Sequence, residues 1–282
     1  MLHYLAPYEF YIEVVAFCAV AVIAYARGLV VRRREGLPVH AAPAIGYFVG
    51  VILVYAVMHT WLDYLSQYMF WVHRTQHLVL HHLGPFLIVL GRPHEVLPHA
   101  LPPRARARGA RILRHPLVRL PYRIVQQPVI ASVLFVGLIY FWLTPAIHFD
   151  AMLSNDLYRV MNGSMVVDGL LFWWLIVDPR GSLDGGLAFG TRILMLWMVM
   201  IPQIAIGAYI GLHGSILYDV YAVCGRAWPI SGMLDQRLGG LITWIPGAMM
   251  SVLGALVVFR HWLRESERAE ARRTSTLETF PS

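Results

Sequence analysis

The chain has no lysine, and only two of its 282 residues are cysteine. Cys18 stands inside an apolar run and Cys224 in a polar connection, so neither a disulfide framework nor a CxxC thiol site is possible. Charged residues are scarce, at 14% against 58% hydrophobic, which is too few to give a soluble domain of this length a polar surface. The net charge of +7 rests wholly on arginine, whose guanidinium holds phosphate groups well. These arginines stand between apolar runs and not along one soluble face, so a membrane surface is the expected partner and nucleic acid is not. Also missing are an internal repeat, the paired broken helices of a transporter and a second domain.

Apolar length stands in their place. Runs of roughly 20 apolar residues, enough to cross a hydrocarbon core, lie near 8–31, 43–64, 67–90, 126–147, 157–178, 187–212 and 239–262. The first is too long for a signal-peptide core and lacks a small-residue cleavage site, so it reads as a retained helix. The expected fold is all-α: a polytopic membrane helical bundle of about seven transmembrane helices. Residues 1–263 form the transmembrane domain, and 264–282 form a polar cytoplasmic tail, a short helix that frays into disorder.

Arginine sets the direction. Arg27 and Arg32 to Arg34 follow the first run, Arg92 to Arg123 the third, Arg180 and Arg192 flank the turn between the fifth and sixth, and Arg260 to Arg273 follow the seventh. The opposite connections carry Glu9, Asp63, Asp150, Asp156, Asp219 and Asp235, with few arginines. The positive-inside rule then places the N-terminus outside and the C-terminus inside. The cytoplasmic loop 92–125 sets eight arginines among Pro98, Pro102, Pro103, Pro116 and Pro121, so it cannot be one continuous helix. It reads as a stop-transfer loop resting on anionic lipid headgroups.

The segment that carries chemistry is His73-Arg-Thr-Gln-His77-Leu-Val-Leu-His81-His82 in the third run. Residues four apart share a helix face, so His73, His77 and His81 form one stripe, and His82 points about 100° away. A single buried histidine commonly bonds a carbonyl and no more. Three on one stripe inside a membrane, where ionisable groups are rare and functional, point to a metal such as copper, zinc, iron or nickel. His59 and Asp63, four residues apart at the end of the second run, are expected on one face, across a short 64–67 connection from the stripe. The candidate metal ligands are therefore His73, His77, His59, Asp63 and His81. His148 and His213 read as interfacial residues and Asp219 as a solvated one. Met58, Met69, Met161 and Met165 fall at the same level, and thioether with imidazole favours Cu(I). Asp168, a carboxylate deep in the fifth run, needs a partner: a histidine of the third run, or a serine or backbone group.

Three stretches then resemble one family. Phe70-Trp-Val-His73-Arg-Thr-Gln-His77 with Gly84-Pro85-Phe-Leu-Ile-Val-Leu-Gly91 is similar to an HMxQH segment and its PLLVLG continuation. Gly169-Leu-Leu-Phe-Trp-Trp174 matches a fifth-helix segment, and Asp235-Gln236-Arg-Leu-Gly-Gly-Leu-Ile-Thr-Trp-Ile-Pro-Gly247 matches DQxxGGxxxWxPG. In this order they resemble the multi-spanning CtaG family of cytochrome c oxidase assembly factors. The resemblance implies a bacterial inner-membrane protein, not an enzyme, that helps copper reach a haem-copper oxidase from the periplasmic side. Its implied partners are the oxidase catalytic subunit or its copper chaperones. His73, His77, Asp63 and Asp235 keep the family's residue types. Met161-Asn162 stands where the family tends to have Glu-His, and His81-His82 where it often has Met-Met.

Two other readings use the same histidines. Membrane di-iron oxidoreductases need several cytosolic histidine boxes, and His94, His99 and His115 form none. A b-type haem protein needs histidines facing each other across the iron from two helices.

Overall fold

The computed structural model describes residues 10–180 and 185–279, with side chains described as far as residue 270. The expected start of the first span at Tyr8, the acidic Glu9 and the last three tail residues lie outside the described residues. The described residues form helices and no strand.

Helix α1 (Ile12–Arg34) carries Glu13 in its first turn and Arg32, Arg33 and Arg34 in its last, each at the helix end whose dipole favours it. Helix α2 (Ala41–His59) stops where Thr60 turns extended, with φ −114° and ψ −177°. The Thr60 hydroxyl donates to the Ala56 carbonyl (2.6 Å) and accepts from the Leu62 N–H (3.2 Å), so it ends one helix and caps the next. That next helix is the short α3 (Trp61–Tyr68). The second run therefore does not continue to residue 64, and His59 and Asp63 do not share a helix face. A further break at Met69 begins α4 (Phe70–Leu78), which passes through a π-turn (Val79–Leu83) into α5 (Gly84–Leu90).

The arginine- and proline-rich connection is broken helix, as its prolines require. It comprises α6 (Pro93–Val96), a 3₁₀ turn (Leu97–Ala100), α7 (Pro103–Arg114) and α8 (Pro116–Val125). Pro93, Pro103 and Pro116 each open a helix, where the missing N–H costs nothing. Then come α9 (Pro128–Leu143), α10 (Pro145–Leu153), α11 (Asn155–Val177), α12 (Phe189–Leu212), α13 (Val220–Val223) and α14 (Gly232–Thr279). Helix α14 crosses the expected tail boundary at 263/264 without a break. Its continuation is rich in Glu, Arg and Ala, all good helix formers.

Among the described residues, five helices are long and apolar enough to cross a membrane: α1, α2, α11, α12 and the Gly232–Glu270 part of α14. The pair α8 and α9, bent by 71°, adds a sixth if it counts as one span. Residues 70–90 are also helical throughout, but His73, Arg74, Gln76, His77, His81 and His82 make them too polar to resemble a lipid-facing span. All six side chains are buried, between α2, α11 and α14. Large apolar side chains such as Phe17, Ile23, Val133, Trp197 and Leu256 face outward on the surrounding helices.

The π-turn follows from Pro85, which has no N–H to give the His81 carbonyl four residues back. The indole N–H of Trp173 on α11 donates to that carbonyl instead (3.2 Å). Gly169, one helical turn earlier, lets α11 approach closely enough, because a Cβ there would overlap the His81 carbonyl oxygen and the Pro85 ring. The Gly-Leu-Leu-Phe-Trp-Trp segment is thus a clamp on the π-turn.

Contacts at the ends put the arginine clusters together. Arg32 reaches the Glu95 carbonyl (2.7 Å) and carboxylate (3.8 Å), and Arg192 donates to the carbonyls of Asp178 and Arg180. The opposite end holds the Arg159–Glu13 (3.3 Å) and Arg226–Asp235 (3.5 Å) pairs.

Gly169→Ala should destabilise the bundle by about 1–3 kcal/mol, the range for overpacking a tight contact. Thermal unfolding of the detergent-purified protein measures it, and an unchanged midpoint would mean that α11 does not need this approach.

Candidate metal centre

The histidine helix is set in place by groups on other helices. Asp235, in the first turn of α14, is 1% exposed and accepts from the backbone N–H groups of Phe70 (3.1 Å) and Trp71 (2.9 Å). It caps α4, whose own cap residue Met69 has no acceptor side chain to offer. Gln236 beside it donates to the carbonyls of Ile210 and Ser215 and accepts from the Leu217 N–H, tying down the end of α12. Gly239 removes the side chain that would meet the Phe70 ring. Gln76 donates to the Val57 carbonyl (2.7 Å) and to Asp63 Oδ1 (2.8 Å), and Tyr158 on α11 donates to the same Asp63 oxygen (2.7 Å). Asp63 therefore joins α3, α4 and α11.

Above this frame three imidazoles meet. The rings of His73 and His77 lie 4.3 Å apart between centroids, as the four-residue spacing requires, and His148 of α10 lies edge-on to His73 at 5.0 Å. His148 donates from Nδ1 to the Trp142 carbonyl (3.1 Å), which leaves Nε2 to accept from the Tyr221 hydroxyl (3.0 Å). His77 donates from Nε2 to Asn162 Oδ1 (3.2 Å), and its Nδ1 accepts a long 3.4 Å contact from Arg74. All three rings are buried, but His73 differs from the other two: the Ser66 backbone is close to it, and neither ring nitrogen has a hydrogen-bond partner of ordinary geometry.

Deeper along the helix, His81 Nε2 pairs with Asp168 Oδ2 at 2.8 Å, so the partly buried carboxylate of α11 finds a third-run histidine. His82 Nε2 accepts from the Gln203 amide of α12 (3.1 Å). The π-turn brings His82 round beside His81, and both line a cavity of about 10 Å³ with Arg74, His77, Met165 and Gln203. The Nδ1 atoms of His81 and His82 and the Oε1 of Gln203 are buried there without partners. A cavity of this size holds about one water molecule. Arg74, itself buried, donates to Thr243 (2.9 Å) and forms no ion pair among the described residues.

His59, the remaining expected ligand, lies elsewhere, as do His213 and Asp219. His59 accepts from the Tyr11 N–H (3.4 Å) and packs against Phe10, Tyr11 and Tyr55. His213 touches Tyr209 at the end of α12, and Asp219 is exposed. Among the described residues, no three His, Cys, Asp or Glu side chains stand ready to hold a metal ion as arranged. The lone pairs of His77 and His148 are engaged, and His73 alone has both nitrogens open. Sequence spacing found His73, His77 and His81. It missed the part played by His148, which depends on the fold of α10, and that of His82, which depends on the π-turn.

The family model described as cytochrome c oxidase caa3 assembly factor matches residues 23–265. Uncharacterized proteins of Mycobacterium bovis and Mycobacterium tuberculosis are each 28% identical over 267 residues, which is 90% of this chain and 39% of theirs. One from Mycobacterium leprae is 26% identical over 264 residues, 89% of this chain and 38% of its own length. The chain thus spans about two fifths of the length of these curated relatives. No solved structure matches it.

Asp235→Ala should cost about 1–3 kcal/mol, because it leaves two buried N–H groups at the start of the histidine helix unpaired. Asp235→Asn, which keeps an acceptor oxygen, should recover most of that in a thermal melt. Equal losses for the two variants would show that charge, and not the cap, is what Asp235 supplies.

Proposed function

The chain belongs to the cytochrome c oxidase caa3 assembly factor family, and from that premise we propose that it carries copper as cargo, on His73 and His77, toward the catalytic subunit of a haem-copper oxidase. The observation that carries this reading is His73: a fully buried imidazole beside the Ser66 backbone, with no hydrogen bond of ordinary geometry at either ring nitrogen and with His77 and His148 as its ring neighbours. Buried polar atoms are nearly always satisfied, so a pair left open on one ring asks for a partner that comes and goes. Reduced copper accepts two or three imidazole or thioether ligands, and it is a soft cation that neutral rings hold without a carboxylate.

His148, a ring neighbour of His73, supplies the third ligand when its Nε2 gives up the Tyr221 hydroxyl. Asp63 is committed to Gln76 and Tyr158, and His59 to the start of α1. Met161 and Met165, both fully buried on α11 either side of Asn162, offer thioethers at the same level. Arg74 gives the site its reversibility. Its guanidinium sits beside His77 with no carboxylate to offset it, so it opposes a second positive charge and competes for His77 Nδ1. A haem has no room beside these rings, where the adjoining cavity is about 10 Å³.

In this reading the protein is a non-catalytic factor of the bacterial inner membrane. Residues 70–90 count as a further span, giving seven, with the N-terminus outside and the arginine-rich end in the cytoplasm. Its partners are the oxidase catalytic subunit or the copper chaperones that load it.

His73→Ala and His77→Ala should each abolish copper retention by the purified protein and lower host oxidase activity, while membrane insertion stays normal. Metal analysis and an oxidase assay check this, and full copper occupancy with full activity in both variants refutes the cargo site. Reporter fusions in 104–123 should report the cytoplasm, and a periplasmic signal there would invert the topology.

A further inference from the structure

The largest of the described cavities lies far from the histidines. It has a volume of about 690 Å³ and sits at the arginine-rich end, between the start of α2, the ends of α5 and α11, and residues 257–268 of α14. Its rim carries Arg92, Arg180, Arg260, Arg264 and Arg268. The last three recur every four residues, so they form one stripe on α14, and none makes an ion pair among the described residues. The other two rim arginines are paired: Arg92 with the Glu95 carboxylate (3.5 Å), and Arg180 with both oxygens of Asp178. Burial acts to raise the Asp178 carboxyl, but the hydrogen bonds from Arg180 outweigh it and hold the group below its ordinary range, so this pair is neutral as a unit. Arg92 is the only described non-glycine residue with a left-handed backbone, at φ 51°, a conformation that costs energy and is kept at the cavity rim. His261 adds a buried Nδ1 without a partner.

The same cavity is also lined by Leu87, Leu90, Trp174, Val177 and Val257. A lining that is part guanidinium and part apolar fits a ligand of both characters, a phosphate group joined to a hydrocarbon chain. A freely soluble anion would leave the apolar wall wet, and a neutral lipid would leave the three guanidinium groups of Arg260, Arg264 and Arg268 without an anion. Basic pockets between membrane helices bind anionic headgroups in this way. We propose that this cavity is a binding site for the phosphate headgroup of one anionic phospholipid, with Arg260, Arg264 and Arg268 as its principal contacts and its acyl chain against Trp174 and Val257. The site is independent of the copper reading, since it shares no residue with the histidine stripe.

The test uses the full chain in detergent, offered equal amounts of phosphatidylglycerol, cardiolipin and phosphatidylcholine, then exchanged into lipid-free detergent and weighed by native mass spectrometry. An anionic lipid should be retained roughly tenfold over phosphatidylcholine, and Arg260→Gln with Arg264→Gln should reduce that retention roughly tenfold or more. Arg114→Gln with Arg119→Gln, on α7 and α8 outside the cavity, should leave it unchanged. Should the glutamine pair fail to fold, Arg268→Gln alone carries the test, with a smaller loss expected. Equal retention of phosphatidylcholine, or an equal loss in the α7 and α8 variant, overturns the site. Displacement of the lipid by millimolar pyrophosphate, with pyrophosphate itself bound by lipid-free protein, overturns the lipid in favour of a soluble polyphosphate.

Discussion

Everything in this bundle answers to one constraint: a strongly polar helix, residues 70–90, is buried among apolar ones, out of reach of bulk water. In such a setting each polar group must find a protein partner or cost several kcal/mol. The neighbouring helices are placed by those debts. Asp235 of α14 covers the two leading N–H groups, Thr243 takes Arg74, Asn162 and Asp168 of α11 take His77 and His81, and Gln203 of α12 takes His82. Trp173 takes the carbonyl that Pro85 abandons. Three of the surrounding helices, α11, α12 and α14, are therefore fixed in register by hydrogen bonds to the same central element, and apolar packing fills in between these fixed points.

This explains which parts of the fold could be read from the chain. Apolar length and arginine spacing give helices and ends, since both depend only on local composition. The stripe His73, His77, His81 is legible because it needs nothing beyond helix periodicity. Legibility stops where the backbone leaves that periodicity. The break at Thr60 separates His59 from Asp63, although the residue itself, a threonine between apolar runs, is an ordinary cap signal. The π-turn moves His82 toward His81, and only the Gly84-Pro85 pair hints at it. The partnership of Asp168 with His81 was open until α11 was seen against the π-turn, where Gly169 permits the approach.

The shared motifs now have physical content. Gln76 in the HxxQH segment is a clamp between α2, α3 and α4, and Asp235 with Gln236 holds the start of the histidine helix and the end of α12. Asn162 takes the place where the resemblance leads one to expect histidine, and it faces His77. A residue of that position is thus within reach of the site whatever its type, and the amide here supplies an acceptor where an imidazole would supply a further ligand.

The polar helix is not satisfied evenly, and the pattern of what is left open separates two kinds of vacancy. In the lower tier the open atoms, His81 Nδ1, His82 Nδ1 and Gln203 Oε1, belong to residues that line the cavity of about 10 Å³, room for one water that would bond to them. The upper tier is a single ring. His73 is not among the residues lining that cavity, and its ring neighbours are two more imidazoles and the Tyr158 phenol. Water needs polar partners and space, whereas a two-coordinate soft cation needs only lone pairs aimed at a common point. The cost of leaving His73 open is of the order of 1–3 kcal/mol, and a fold that has paired nearly every other polar group on the same helix keeps that cost at the one position where a transient ligand could remove it.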